Sequence, residues 1–132
     1  MAKKLLDLDL GTLVRINKEV VRLTREKHEY DEEDERRMRS MLKEIESIGG
    51  RGGRAEIVEK ASLLVFRISS GQYFHDGNKR TALVAGMAFL AMNGYRMNIE
   101  DGELVPVLDR AGVSTATLNE VRSIMNRLIH HV

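Results

Sequence analysis

A chain of 132 residues supports one sizeable hydrophobic core, and 42% hydrophobic with 31% charged residues is the make-up of an ordinary globular domain, not of a disordered chain. Its 21 basic and 20 acidic side chains leave a formal net charge of +1, so no overall field draws it to nucleic acid or to an anionic membrane, and any anion site must be local. The absence of cysteine excludes disulfides, thiolate metal sites and thiol catalysis, and accords with a reducing, cytoplasmic setting.

The stretch from Met1 to Asp7 carries two lysines, but acidic residues interrupt it before a signal-peptide core forms. A first helix is predicted from Leu13, Ile16, Val20 and Leu23, spaced by three and four, with Asp9 or Thr12 as cap and Lys18, Arg22 and Lys27 on the outer face. A second begins near Asp31, where four acidic residues complement the positive helix end. Met38, Met41, Leu42, Ile45 and Ile48 form its stripe, and Gly49-Gly50 stops it. In the third, Ile57, Val58, Ala61, Leu64, Val65 and Ile68 share one face, and Ser69-Ser70-Gly71 ends it.

After a polar loop from Gln72 to Asn78, residues Ala82 to Met92 are apolar around most of the circumference, which predicts a central helix. Its small residues Ala82, Ala85, Gly86, Ala88 and Ala91 admit close neighbours, and Asn93-Gly94 ends it. The run is short of the roughly 20 residues that span a bilayer, so no membrane partner is expected. Tyr95 to Ile99 is the best strand candidate, and Pro106 is the only proline. The last helix carries Leu118, Val121, Ile124, Met125, Leu128 and Ile129, capped by Thr117 with Glu120, or by Ser114 or Thr115. The pattern is that of a single all-α domain over residues 1–132, a helical bundle around the helix that follows the loop.

The loop itself carries the chemistry. Leading into an apolar helix, it brings free backbone N–H groups and the positive end of a helix dipole to one point. Gly77 admits close backbone approach, and Asn78 can cap. Lys79 and Arg80 stand where basic side chains are unfavourable unless something negative sits beside them. A phosphate meets that demand, and Asp76 is an oxygen ligand suited to Mg²⁺, which is held through one or two carboxylates together with substrate phosphates. An ordinary Asp-Gly-Asn turn, with Lys79 and Arg80 paired to surface acids, accounts for the same residues.

The run from Phe74 through His75-Asp76-Gly77-Asn78-Lys79-Arg80-Thr81 to Leu83 resembles the signature loop of the Fic/Doc (Fido) family in its Doc-like form, whose pattern is H-x-F-x-D-G-N-K-R. The resemblance extends from Ile57 to Gly94. It implies an all-α fold and transfer of part of a nucleotide triphosphate, ATP or another, to a hydroxyl of a target protein with Mg²⁺ as cofactor. Carried over by position, Phe74 anchors the loop, Asp76 holds the metal, Gly77 and Asn78 cradle the phosphates, and Lys79 and Arg80 neutralise them. The adenylylating branch reads G-N-G-R-x-x-R. Lys79 and Leu83 depart from it, which favours the Doc-like (death-on-curing) branch, a kinase type that acts as a toxin restrained by a separate antitoxin.

Gln72 occupies the place of the family's catalytic histidine, and an amide cannot accept the proton of an attacking hydroxyl. The resemblance therefore implies impaired transfer; the alternative is a non-catalytic module that binds a nucleotide or a partner. His75, three residues on, is a weak substitute for the base. His28, His130 and His131 are expected on the surface. The segment Gly49 to Arg54 lacks the lysine and preceding strand of a P-loop, and its single Arg-Gly-Gly is a poor signal for RNA, so a connector is the simpler account. By position it resembles the family's target-docking flap, which would make Arg51 and Arg54 contacts for an acidic target or inhibitor.

Overall fold

The computed structural model describes residues 5–49, 52–98, 102, 104–112 and 117–132. Among them are six helices, α1 (Leu10–Thr24), α2 (Glu32–Glu46), α3 (Arg54–Gly71), α4 (Asn78–Met92), α5 (Leu104–Gly112) and α6 (Leu118–Leu128), with two short strands, β1 (Tyr95–Met97) and β2 (Ile129–His131). The fold is all-α apart from this antiparallel pair, which matches Tyr95 with His131, Arg96 with His130 and Met97 with Ile129. No described helix is long and apolar enough to cross a membrane.

The helix starts follow from capping chemistry. Asp9 accepts from the Thr12 N–H at 2.8 Å, and both Asp31 with Asp34 and Thr117 with Glu120 form reciprocal capping boxes. The alternative caps Ser114 and Thr115, like Gly50 and Arg51, lie outside the described residues. At its far end α3 runs through Ser69, Ser70 and Gly71, where the sequence pattern places a stop. It closes on Gln72 in the left-handed region (φ 52°, ψ 47°). Arg37 holds the Gly71 carbonyl at 2.5 Å, a cation at the negative end of the helix.

α3 and α4 form the centre. Ala82, Ala85, Phe89 and Leu90 of α4 are buried against Ile57, Ala61, Leu64, Val65 and Ile68 of α3. Gly86 sets their separation: a Cβ there would lie 2.6 Å from Val65 Cγ2. The outer edge of α4 surfaces at Val84, Met87 and Met92.

Besides the end of α3, the sequence pattern is departed from in α1, in α5 and at the end of α6. In α1 the buried row is Leu13, Asn17 and Val21, whereas Ile16 and Val20 are half-buried and Leu23 is 76% exposed. The helix is turned by one position because the loop before α4 packs onto its Asn17 side. α5 has no counterpart among the expected helices. Leu104, Val107, Leu108 and Ala111 bury one face of it, and Pro106 is tolerated at its third residue, within the first turn. At the C-terminus, Ile129 leaves the helix for extended backbone, so His130 and His131, though exposed, belong to a paired strand.

Candidate functional site

The loop between α3 and α4 is held from within by Asn78. Its Oδ1 accepts from the Phe74 N–H at 3.0 Å and its Nδ2 donates to the Phe74 carbonyl at 2.8 Å, an amide staple that is itself buried. Asn78 is thus the first residue of α4, not its cap; the cap is Gly77, at φ 76°, and no side chain caps the helix. The N–H groups of Asn78, Lys79 and Arg80 therefore point out of the helix without intrahelical acceptors, since Thr81 is the first to bond back, to the Gly77 carbonyl. Gly77 is also forced by packing: a Cβ would lie 2.8 Å from Val21 Cγ1 on α1. Phe74 sits in the core beside Tyr30, ring centroids 5.7 Å apart and edge to face.

Beneath the loop runs a buried polar chain absent from the sequence reading. Asn17 donates from Nδ2 to the Asp76 carbonyl at 2.9 Å and to Thr81 Oγ1 at 3.0 Å. Its Oδ1 is then an acceptor, so His28, 2.7 Å away, donates from Nδ1 and is the Nδ1–H tautomer. Burial, reinforced by Lys18, pushes the His28 pKa down. His28 thus belongs to the underside of the loop and is half-buried.

Asp76 takes the Lys27 N–H on Oδ2 at 2.9 Å, and the His75 ring approaches the same oxygen at 3.1 Å. The Lys27 N–H, followed by His75, holds its carboxyl below the usual aspartate range, so it is ionised at neutral pH. Oδ1 accepts no hydrogen bond among the described residues and is free for a cation. Among those residues no group of three potential metal ligands occurs. Asp76 with three open N–H groups beside it fits Mg²⁺ carried on a nucleotide.

A cleft of about 370 Å³ opens over the loop, walled on one side by Gln72, His75, Asp76 and Lys79 and on the other by Leu108 and Asp109 of α5. Gln72 bridges its floor, donating to the Ser69 carbonyl at 2.9 Å and receiving a long 3.4 Å contact from Asn78 Nδ2. Ser69 Oγ, buried at this edge, has no hydrogen-bond partner among the described residues. Both loop cations meet protein carboxylates. Lys79 pairs with Asp109 across the cleft. Arg80 pairs with Glu26 and also donates at 3.1 Å to the Val20 carbonyl and to Thr24 Oγ1 at the end of α1. The negative groups that a basic helix start demands are in part the protein's own.

Gln72, His75, Asp76, Gly77, Asn78, Lys79 and Arg80 thus gather at one cleft. Arg54 does not join them. It lies at the opposite end of α3, roughly 25 Å away at 1.5 Å per residue, and grips Asn126 and the Ile129 carbonyl. The residues missed from the sequence are Asn17 and Asp109. Asn17 shares a helical row with Leu13 and Val21, a visible polar interruption; Asp109 follows Leu104, Val107 and Leu108, whose spacing marks α5.

A model of the Fic/DOC family matches residues 7–90, which takes in α1 through most of α4 and the whole loop. Comparison with curated proteins and with solved structures gave no significant match.

Proposed function

The chain belongs to the Fic/DOC family, and from that membership we propose that its cleft binds a magnesium-nucleotide triphosphate and that the protein is a Doc-like domain whose transfer to protein hydroxyls is slowed by Gln72. The family in general transfers part of a nucleotide triphosphate to proteins. The observation that carries the finer reading is the start of α4. Three N–H groups without partners among the described residues, the helix dipole, Asp76 and Lys79 converge on one polar cleft, an arrangement suited to phosphate oxygens.

In this mechanism the residues divide the work. Asp76 would hold Mg²⁺, which supplies charge neutralisation at the phosphates. The N–H groups of Asn78, Lys79 and Arg80 bind phosphate oxygens, and the Lys79 ammonium spreads over them the charge it now shares with Asp109. Asn78 keeps the loop in shape from beneath. A target hydroxyl enters over Gln72, which orients it by hydrogen bonding without removing its proton. A missing base lowers rate about 10² to 10⁴-fold, while positioning and electrostatics, the larger share of phosphoryl-transfer catalysis, stay in place. Lys79 and Leu83, in place of a glycine and a second arginine, favour phosphoryl over AMP transfer. A separate antitoxin protein completes this Doc-like reading as the restraining partner.

ATP labelled at the γ or α phosphate, Mg²⁺ and a cell lysate test it. Slow γ-label transfer by the native chain, accelerated at least about 100-fold by Gln72→His, is expected. No label from either protein would contradict it. A purely binding module is the second reading, favoured by the engagement of Lys79 and Arg80 with Asp109 and Glu26; it predicts nucleotide binding with no native transfer.

A further inference from the structure

We propose that Asp109 of α5 takes the proton of the attacking hydroxyl, in place of the histidine whose position Gln72 fills, an inference that rests on the nucleotide assignment above.

The cleft offers few groups able to accept a proton. The Gln72 amide is not basic, Lys79 and Arg80 are cations, and the Ser69 hydroxyl is buried. Asp76 would hold the metal, and its Oδ2 already accepts the Lys27 N–H. His75 is turned onto that same Asp76 oxygen at 3.1 Å, so its Nδ1 is already engaged with the carboxylate on its own side of the cleft. Asp109 is different. It projects from the opposite wall, its side chain is 56% exposed, and its one ion-pair partner among the described residues is Lys79.

That partner gives the carboxylate its place. An ammonium has three donors, so Lys79 can hold Asp109 and a phosphate oxygen together. Two such contacts, each roughly 2.8 Å, put the carboxylate about 5–6 Å from the phosphorus, with room for one oxygen between them. A strong base is not required there: in phosphoryl transfer the transition state is loose, and an aspartate that accepts the hydroxyl proton serves protein kinases on an unrelated fold.

The step balances. The hydroxyl oxygen forms the new bond to the γ-phosphorus as its proton passes to a carboxylate oxygen of Asp109. The bridging P–O bond breaks, its electron pair leaving on the nucleoside diphosphate, and Asp109 then returns the proton to solvent. For AMP transfer the same events occur at the α-phosphorus with pyrophosphate departing.

The test compares the native chain, Asp109→Asn, Gln72→His, the double variant and His75→Ala, reading γ- and α-label transfer to lysate proteins at saturating Mg²⁺-ATP. Calorimetric Kd values for ATP and urea midpoints are read alongside. Asp109→Asn should cut transfer about 100-fold, with the Kd unchanged or tighter because Lys79 is released, and the double variant should regain the rate of Gln72→His. Four results would overturn the assignment: transfer by Asp109→Asn at or above the native rate; loss that persists in the double variant together with weaker ATP binding; loss on His75→Ala instead; or a native chain that binds ATP and transfers nothing while Gln72→His transfers. Failure of the native chain to bind ATP at all would remove the cleft assignment and this one with it.

Discussion

Replacing Asn17 by leucine keeps the branching and number of side-chain heavy atoms and removes the polar contacts that Asn17 makes beneath the loop. Asn17 is fully buried and makes three hydrogen bonds, to the Asp76 carbonyl at 2.9 Å, to Thr81 Oγ1 at 3.0 Å and with His28 Nδ1 at 2.7 Å. Each is worth a net 0.5–1.5 kcal/mol, and the partners left behind have little access to water, so Asn17→Leu should cost about 3 kcal/mol. Against a total of order 10 kcal/mol for a domain of this size, that is about a third of the stability. With a urea slope of about 2 kcal/mol per molar, the unfolding midpoint should fall by about 1.5 M at constant slope. Glu19→Ala, which removes only an exposed ion pair to Arg22, should cost less than about 0.5 kcal/mol. A midpoint loss below about 0.5 M for Asn17→Leu would refute the claim that this polar chain secures the loop.

Three further outcomes follow from single features. His28 has its pKa lowered by burial and by Lys18, so between that value and the unfolded value near 6.5 the unfolded chain binds more protons; thermal stability should therefore fall as pH drops below about 6.5, and His28→Gln should flatten that slope. Gln72 is in the left-handed region at φ 52°, so Gln72→Gly should raise stability by about 0.5–1 kcal/mol in urea unfolding, whereas Gln72→His should leave it near the native value. Lys60 is 3% exposed and meets Asp7 at 3.0 Å; Asp7→Ala should cost about 3 kcal/mol by leaving the ammonium buried and unpaired, and Lys60→Met much less.

Where side-chain period and capping agree, the sequence was sufficient. α2, α3 and α6 show their apolar rows at helical spacing, α2 starts at the acidic cluster that marks it, and Thr117 with Glu120 caps α6 as expected, whereas α3 has no side-chain cap and runs through its expected stop. α1 was legible as a helix but only partly in its rotation: of the expected stripe Leu13–Ile16–Val20–Leu23 only Leu13 is in the buried row with Asn17 and Val21, because the loop packs through Gly77 against Val21. α5 escaped notice because it is nine residues long and contains Pro106, although a proline in a first turn removes no hydrogen bond.

For the site, the motif places the loop residues in one cleft, while their partners come from far along the chain. The clash of Lys79 and Arg80 with the helix dipole is visible locally. Its relief by Asp109, 30 residues away, and by Glu26, 54 residues away, is a property of the tertiary structure. The anion argument is sharpened accordingly: a phosphate must share these cations with the protein's own carboxylates, and the open N–H groups of α4 are what those carboxylates leave unfilled.

Calorimetric titration of the native chain with ATP tests that cleft most directly. The account predicts a single site that requires Mg²⁺, is lost in Asp76→Ala and is weakened at least about tenfold in Lys79→Ala, a change of about 1.4 kcal/mol. No binding to the native chain, or binding that neither substitution alters, would contradict it.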